Sequence, residues 1–285
     1  MCLLFFIKDS DPPVDGYRLV LVNNRDEFWE RQTELASFGG KDKRVVCGRD
    51  CMQGREGGTW VGMSREGRLG VLLNILGQLD PDKKPRGRLV TNFVSGNQSI
   101  EEYFSEISHD ANQYNGFNLV LVDVGKVATT TRLFSNALGY NGTHINQLED
   151  GEVHGVGNAM FEKPWKKICY GREKFQKICQ NYAKVDSKEL LIKSLQEMMT
   201  DRTKHLPDAV LKEACAKAGY NDTVTEERSQ ICVWSPSFKY GTRTTTVILV
   251  DRDGHCDFIE KTIVTPVCVE DPKFTTTALN FKLIN

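Results

Sequence analysis

Cys2 is the residue whose type and position carry the most chemistry. Methionine aminopeptidases remove Met1 when the second residue is small, and cysteine qualifies. The processed chain would then begin with a thiol and an α-amino group on one residue. An α-amine ionises near ~7.7–8 and a thiol near ~8.5, so the amine can act as base close to neutral pH. That pairing makes a self-contained nucleophile and base. A buried cysteine in an edge strand is the plainer reading of position alone, so the assignment rests on supporting residues.

Several polar residues could supply that support. Asn23-Asn24-Arg25-Asp26-Glu27 follows an apolar segment, and side chains at a strand end could surround a nucleophile at the start of its neighbour. Asp26 suits an α-ammonium, and Arg25 suits a substrate carboxylate or the orientation of Asp26. A turn of solvated charge is the alternative. Asn74 ends the run Val71-Leu72-Leu73, where an amide could donate to an oxyanion. Asn158, in Gly155-Val156-Gly157-Asn158, sits in a glycine-bounded turn and could do the same, or simply tolerate a left-handed backbone. Arg243 opens an apolar strand and would need an anionic partner there.

The elements that must position these groups are legible in outline. Residues 2–7, 17–22, 60–63, 69–73 and 117–124 read as strands, and 244–250 with 255–260 as a hairpin about Asp251-Arg252-Asp253-Gly254. A helix is expected from Pro164, with Trp165, Ile168, Cys169, Phe175, Ile178 and Cys179 on its apolar face. A second is expected after Asp186 as N-cap, burying Leu190, Leu191, Leu195 and Met198. Strands at both ends and helices between them imply one layered α+β domain over 1–285, with an irregular tail from about 262.

Composition excludes several classes. With 37 basic against 38 acidic residues, the net charge of −1 is unlike that of a nucleic-acid binder. No apolar run approaches the ~20 residues that cross a bilayer. The 9 cysteines are odd in number and irregularly spaced, as expected for free thiols in a reducing compartment. The first residues lack both a basic secretory n-region and the acid-poor character of a mitochondrial presequence, so cytoplasmic residence is expected. There is no Gly-x-Gly-x-x-Gly after a strand and no P-loop. Cys47 and Cys51 lack a second ligand pair, so no metal is expected.

The motifs then resemble a known family. Met1-Cys2, Asn24-Arg25-Asp26-Glu27-Phe28, Glu56-Gly57-Gly58-Thr59-Trp60, Gly87-Arg88, Gly155-Val156-Gly157-Asn158, Pro164-Trp165 and Tyr240-Gly241-Thr242-Arg243-Thr244 occur in register with the transport and Golgi organisation protein 2 family, also called the NRDE family. The resemblance runs from Met1 to about Glu260. It implies an αββα sandwich similar to the N-terminal nucleophile hydrolases, notably choloylglycine hydrolases and penicillin V acylases. By motif, Cys2 matches their nucleophile, Asp26 the amine-binding aspartate, Asn74 and Asn158 the amide donors, and Arg243 the late arginine. Asn24, Arg25, Glu27, Trp60 and Arg243 become candidate ligand-binding residues. One departure stands out: the acylases carry an arginine where this chain has Asn23, and here the arginine is Arg25. That displacement is expected to change the strand face the side chain serves.

The same resemblance implies haem trafficking, acyl-CoA and lipid homeostasis, and organisation of the endoplasmic reticulum and Golgi, with mitochondrial or Golgi association and peripheral membrane contact. Ligand handling therefore ranks first, with haem or an acyl-CoA as ligand rather than required cofactor. The stretch 163–177, with six basic residues and the single acid Glu173, is expected to contribute. A Cys2-dependent amidohydrolase, thioesterase or acyl-transfer enzyme ranks second, and a non-catalytic interaction protein third.

Overall fold

A computed structural model describes residues 2–40, 43–137 and 142–284. The first strand shows how sequence dictates the architecture. β1 (Cys2–Lys8) is apolar without alternation because both its faces are covered. Leu4 and Phe6 point into one apolar layer, Leu3 and Phe5 into another. β1 pairs with β2 (Tyr17–Phe28) and with β10 (Val153–Val156). The sheet continues through β12 (Tyr240–Asp251), β13 (His255–Ile263) and β14 (Phe274–Lys282), and the short β11 (Trp234–Ser235) pairs with β12. The described pairings are antiparallel throughout.

A second seven-stranded sheet runs in chain order: β3 (Thr33–Gly39), β4 (Val45–Asp50), β5 (Val61–Ser64), β6 (Arg68–Asn74), β7 (Phe117–Val124), β8 (Thr129–Ser135) and β9 (His144–Gln147). The sheets face each other across Leu4, Phe6, Val61, Met63, Val71, Val120 and Phe258. Outside the second sheet lie α1 (Arg88–Ser95) and α2 (Ile100–Asp110), with Phe93 and Phe104 in their shared core. Outside the first lie α3 (Lys166–Asn181), α4 (Lys188–Met198) and α5 (Ala209–Lys217), packed through Trp165, Phe175, Leu195 and Leu211. α6 (Asp222–Arg228) completes the helices. The layer order is α-β-β-α, as expected.

Three expectations need correction. The chain beyond 262 is not irregular: β14 pairs with β13 along Ile263↔Phe274 to His255↔Lys282. Asp186 does not cap α4; it lies in a 3-10 turn, and Ser187 takes the N-cap position. On the two helices, Cys169 and Leu190 are exposed, while Lys167 and Gly171 join the buried face of α3. The basic stretch therefore loses one of its charges to the interior.

Gly171 is buried because α3 crosses β1 closely. A Cβ on Gly171 would stand 2.2 Å from Cζ of the fully buried Phe5. Gly171→Ala raises helix propensity, but the clash outweighs that gain. Urea unfolding of the variant is expected to show a loss of about 1–3 kcal/mol; an unchanged midpoint would mean that Phe5 moves aside freely.

Candidate active site

The site lies where the N-terminal end of β1 meets the C-terminal ends of β2 and β6. Cys2 is paired with Arg25, which fixes the two side chains next to each other on the face between the sheets. The Cys2 thiol is buried, and that burial pushes its pKa up, with Asp26 adding to the rise and Arg25 opposing it. The main-chain N–H of Cys2 donates to Asn158 Oδ1 at 3.1 Å. Met1 itself lies outside the described residues.

Asn158 is a bridge between the sheets. It follows β10, and its Nδ2 donates to the main-chain oxygen of Asn74 at the end of β6. Its own carbonyl accepts from Leu76 N. Asn118 of β7 holds the turn on both sides, donating to Gly157 O at 3.0 Å and Ala159 O at 2.8 Å. Asn158 thus orients the Cys2 nitrogen through its oxygen, while one amide hydrogen is committed to Asn74 rather than aimed at an oxyanion. The side chain of Asn74 lines the cavity beside Cys2, with Oδ1 buried and unpartnered among the described residues.

The charged motif does not follow the second strand as a turn; it lies inside β2 and is largely buried. Asp26 Oδ1 accepts from Thr242 Oγ1 at 2.7 Å, and its main-chain oxygen accepts from Tyr240 OH at 3.1 Å. Burial raises the Asp26 pKa, opposed in part by Lys167, Thr242 and Arg228. Arg25 stacks on the Trp60 ring, its guanidinium carbon 4.2 Å from the centroid. Asn23 and Arg25 both pair on the inner face, two residues apart, so the arginine's displacement from the acylase position does not change faces. It moves the guanidinium one row toward the strand end.

Glu27 is ionised despite burial, because Arg31 at 2.8 Å and Arg25 at 3.8 Å hold its pKa down. Arg31 also grips Asp50 through two nitrogens, at 2.5 and 3.3 Å. Arg55, Arg86 and Arg88 join them around the cavity. Burial and nearby Arg55 bring the Arg86 pKa down to about 10. Sequence reasoning missed Arg31, Asp50, Arg55 and Arg86; the signal available was the charge beside the glycines of Gly54-Arg55-Glu56-Gly57 and Arg86-Gly87-Arg88.

Two candidates stand elsewhere. Asn24 points to the helical side, donating to Met199 O at 2.9 Å and accepting from Thr245 Oγ1 at 2.7 Å. It ties β2 to the chain after α4 and does not line the cavity. Arg243 occupies a bulge between Thr242 and Thr244, and its Nη1 reaches the main-chain oxygens of Phe28 and Arg31. Its partners are carbonyls, not the anion expected. It clamps the backbone that carries Glu27 and Arg31.

The cavity at Cys2 is small, about 80 Å³, and its lining includes Cys2, Arg25, Asp26, Glu27, Trp60 and Asn74. It adjoins a groove of about 730 Å³, sharing Glu27, Arg31, Arg55, Asn74 and Arg86 with it. Met52, Ile75, Leu76 and Leu79 give the groove an apolar side. A group that enters from the groove passes the arginines before reaching the thiol.

Fold and site define a four-layer αββα protein with a buried cysteine near its N-terminus, set in an arginine-lined cavity. The family model for Transport and Golgi organisation 2 matches residues 1–265, and the chain belongs to that family. It is 35% identical to a human Transport and Golgi organization protein 2 homolog, over 93% of this chain and 94% of the relative. Identity to the Drosophila melanogaster Transport and Golgi organization protein 2 is 32%, over 92% of each chain. Among solved structures, a Caenorhabditis elegans N-acylethanolamine-hydrolyzing acid amidase ortholog gives a TM-score of 0.47 at 10% identity, covering 87% of this chain and 92% of that one. A mutant conjugated bile acid hydrolase from Clostridium perfringens gives 0.47 at 9%, covering 99% and 97%. No helix among the described residues is long and apolar enough to cross a membrane.

Proposed function

We propose that the chain holds an amphipathic anion, of the acyl-CoA or haem class, as part of intracellular haem trafficking or acyl-CoA and lipid homeostasis. The observation that carries this reading is the groove of about 730 Å³, whose apolar side leads to the arginines shared with the Cys2 cavity. That volume suits one small molecule. Arg31 is already paired with Glu27 and Asp50, which leaves Arg55 and Arg86 as the principal cations for an incoming acid group. For haem, the lining includes three residue types able to ligate iron, Cys51, Met52 and Tyr220.

The test is titration calorimetry with decanoyl-CoA and, separately, haemin. Micromolar binding is expected for one of them, and Arg55→Gln with Arg86→Gln should weaken it about tenfold or more. Failure of both compounds to bind, or binding indifferent to both arginines, overturns the reading.

A second reading is favoured by the convergence of Cys2, Asp26, Asn74 and Asn158 from four separate segments. Here Cys2 attacks the carbonyl of a thioester or amide in the same ligand. Its freed α-amine takes the thiol proton and passes it to the leaving group, and water then releases the acyl group. Asn158 and Asp26 hold the amine. The Asn74 side chain would face the developing oxyanion.

A further inference from the structure

Part of the groove wall that does not border the Cys2 cavity is formed by aromatic rings. Phe28, the last residue of β2, is 56% exposed. The ring of Tyr240 stands edge-on to it, 5.2 Å away and inclined by 77°. Tyr220, between α5 and α6, is 37% exposed. Arg228, only 7% exposed, lies 3.9 Å from the Tyr220 ring centroid and 5.3 Å from that of Tyr240. Its Nε has no hydrogen-bond partner among the described residues.

Core packing does not account for this arrangement. Phe28 and Tyr220 both line one groove, where Tyr240 packs against Phe28 and the Arg228 guanidinium lies over the Tyr220 ring. Single exposed aromatics need no explanation, whereas rings gathered around a groove mark a binding surface. The charge of the groove specifies the sign of its occupant. Arg31, Arg55, Arg86 and Arg228 line it against Glu27 and Glu30, and both acids are already paired, Glu27 with Arg31 and Glu30 with Lys239. The groove therefore combines an aromatic wall, an apolar wall and a set of arginines. Any planar base has a face that stacks on such rings, and an arginine behind the ring strengthens the contact. A nucleotide supplies both kinds of group, since its base is free to stack while its phosphates hang from the neighbouring ribose and not from the ring itself.

We propose that Phe28, Tyr220 and Arg228 form the stacking platform for the nucleobase of a nucleotide-bearing anion. The inference rests on the amphipathic-anion reading above and assigns the ligand's ring to the aromatic wall.

The experiment compares decanoyl-CoA with decanoyl-phosphopantetheine, which keeps the acyl chain, the thioester and one phosphate but lacks the nucleotide. Each is titrated into the wild type, into Phe28→Ala/Tyr220→Ala and into the ring-preserving Phe28→Tyr/Tyr220→Phe. The wild type should bind the CoA ester about tenfold or more tightly than its truncated analogue. The alanine variant should lose most of that preference, and the ring-preserving variant should keep it. A wild type with no preference, or an alanine variant that retains the full preference, overturns the platform. If neither compound binds the wild type, the acyl-CoA arm of the amphipathic-anion reading fails and takes this inference with it, whether or not haemin binds.

Discussion

Cys2→Ala is expected to eliminate any covalent acyl adduct and to lower thioester or amide turnover by more than about a thousandfold, as removal of a nucleophile does. The thiol is poorly ionised where it lies, because burial pushes its pKa up. Attack therefore depends on proton transfer to a base at the moment of reaction, and the hydrogen bond from the Cys2 nitrogen to Asn158 marks where that base would sit. An α-amine of pKa near ~7.7–8 must be unprotonated to serve, so the rate should climb as pH rises through that range. Intact-mass measurement of untagged protein, before and after incubation with decanoyl-CoA, reads both requirements at once. Loss of Met1 with an adduct that vanishes in Cys2→Ala establishes the nucleophile. Retained Met1, or an adduct undiminished in Cys2→Ala, sinks the mechanism and leaves the groove as a binding site only. Cys47→Ala serves as the control, since that thiol is also buried but does not line the cavity.

The sequence carried the strands best where a segment is covered on both faces. Cys2–Ile7 of β1 and Val247–Val250 of β12 are uninterrupted apolar runs, and β7 is broken only at Asn118 and Asp123. β2 was harder to read because its last residues, Asn23 to Glu27, are polar yet buried. Their partners come from other segments: Trp60 under Arg25, Thr242 against Asp26, Arg31 on Glu27. No local pattern announces such partners, so a buried strand end looked like a solvated turn. The same reason hid β14, whose threonines are paired to β13 while its alternate residues face solvent. Asn74 was found by its position at the end of an apolar run, and Asn158 by its glycine-bounded turn. The Asn158 side chain is committed otherwise than expected, because an amide can orient a neighbour as readily as it can donate to an oxyanion. Arg243 shows the limit of reading charge from sequence: a buried guanidinium can be satisfied by carbonyls, which leave no trace in residue type.

The polar character of the site reaches deeper into the sandwich than Cys2. Register places Asn23, Thr246 and Glu260 side by side on the inner face, one row below Arg25. Each carries a buried oxygen without a hydrogen-bond partner among the described residues. Glu260 Oε1 accepts from Ala36 N at 3.0 Å. Burial lifts its pKa from 4.5 to about 7, although Ala36, Arg25 and Thr262 oppose the shift. The sign of the consequence follows from linkage. Below pH 4.5 the carboxyl is neutral in both folded and unfolded chains and imposes no penalty. As pH rises toward 7 the unfolded chain ionises first, so unfolding gains and stability falls; above about 7 the loss is complete. Such a shift corresponds to about 3 kcal/mol. Glu260→Gln keeps the shape and the acceptor for Ala36 N but cannot ionise. The variant should therefore match the wild type at pH 4.5 and melt roughly 6–10 °C higher at pH 8. Equal melting differences at the two pH values would show that Glu260 ionises in the fold at no cost, with Arg25 supplying the compensation. The predicted outcome instead means that the interior beneath Cys2 gives up stability to keep a polar row, as active sites commonly do.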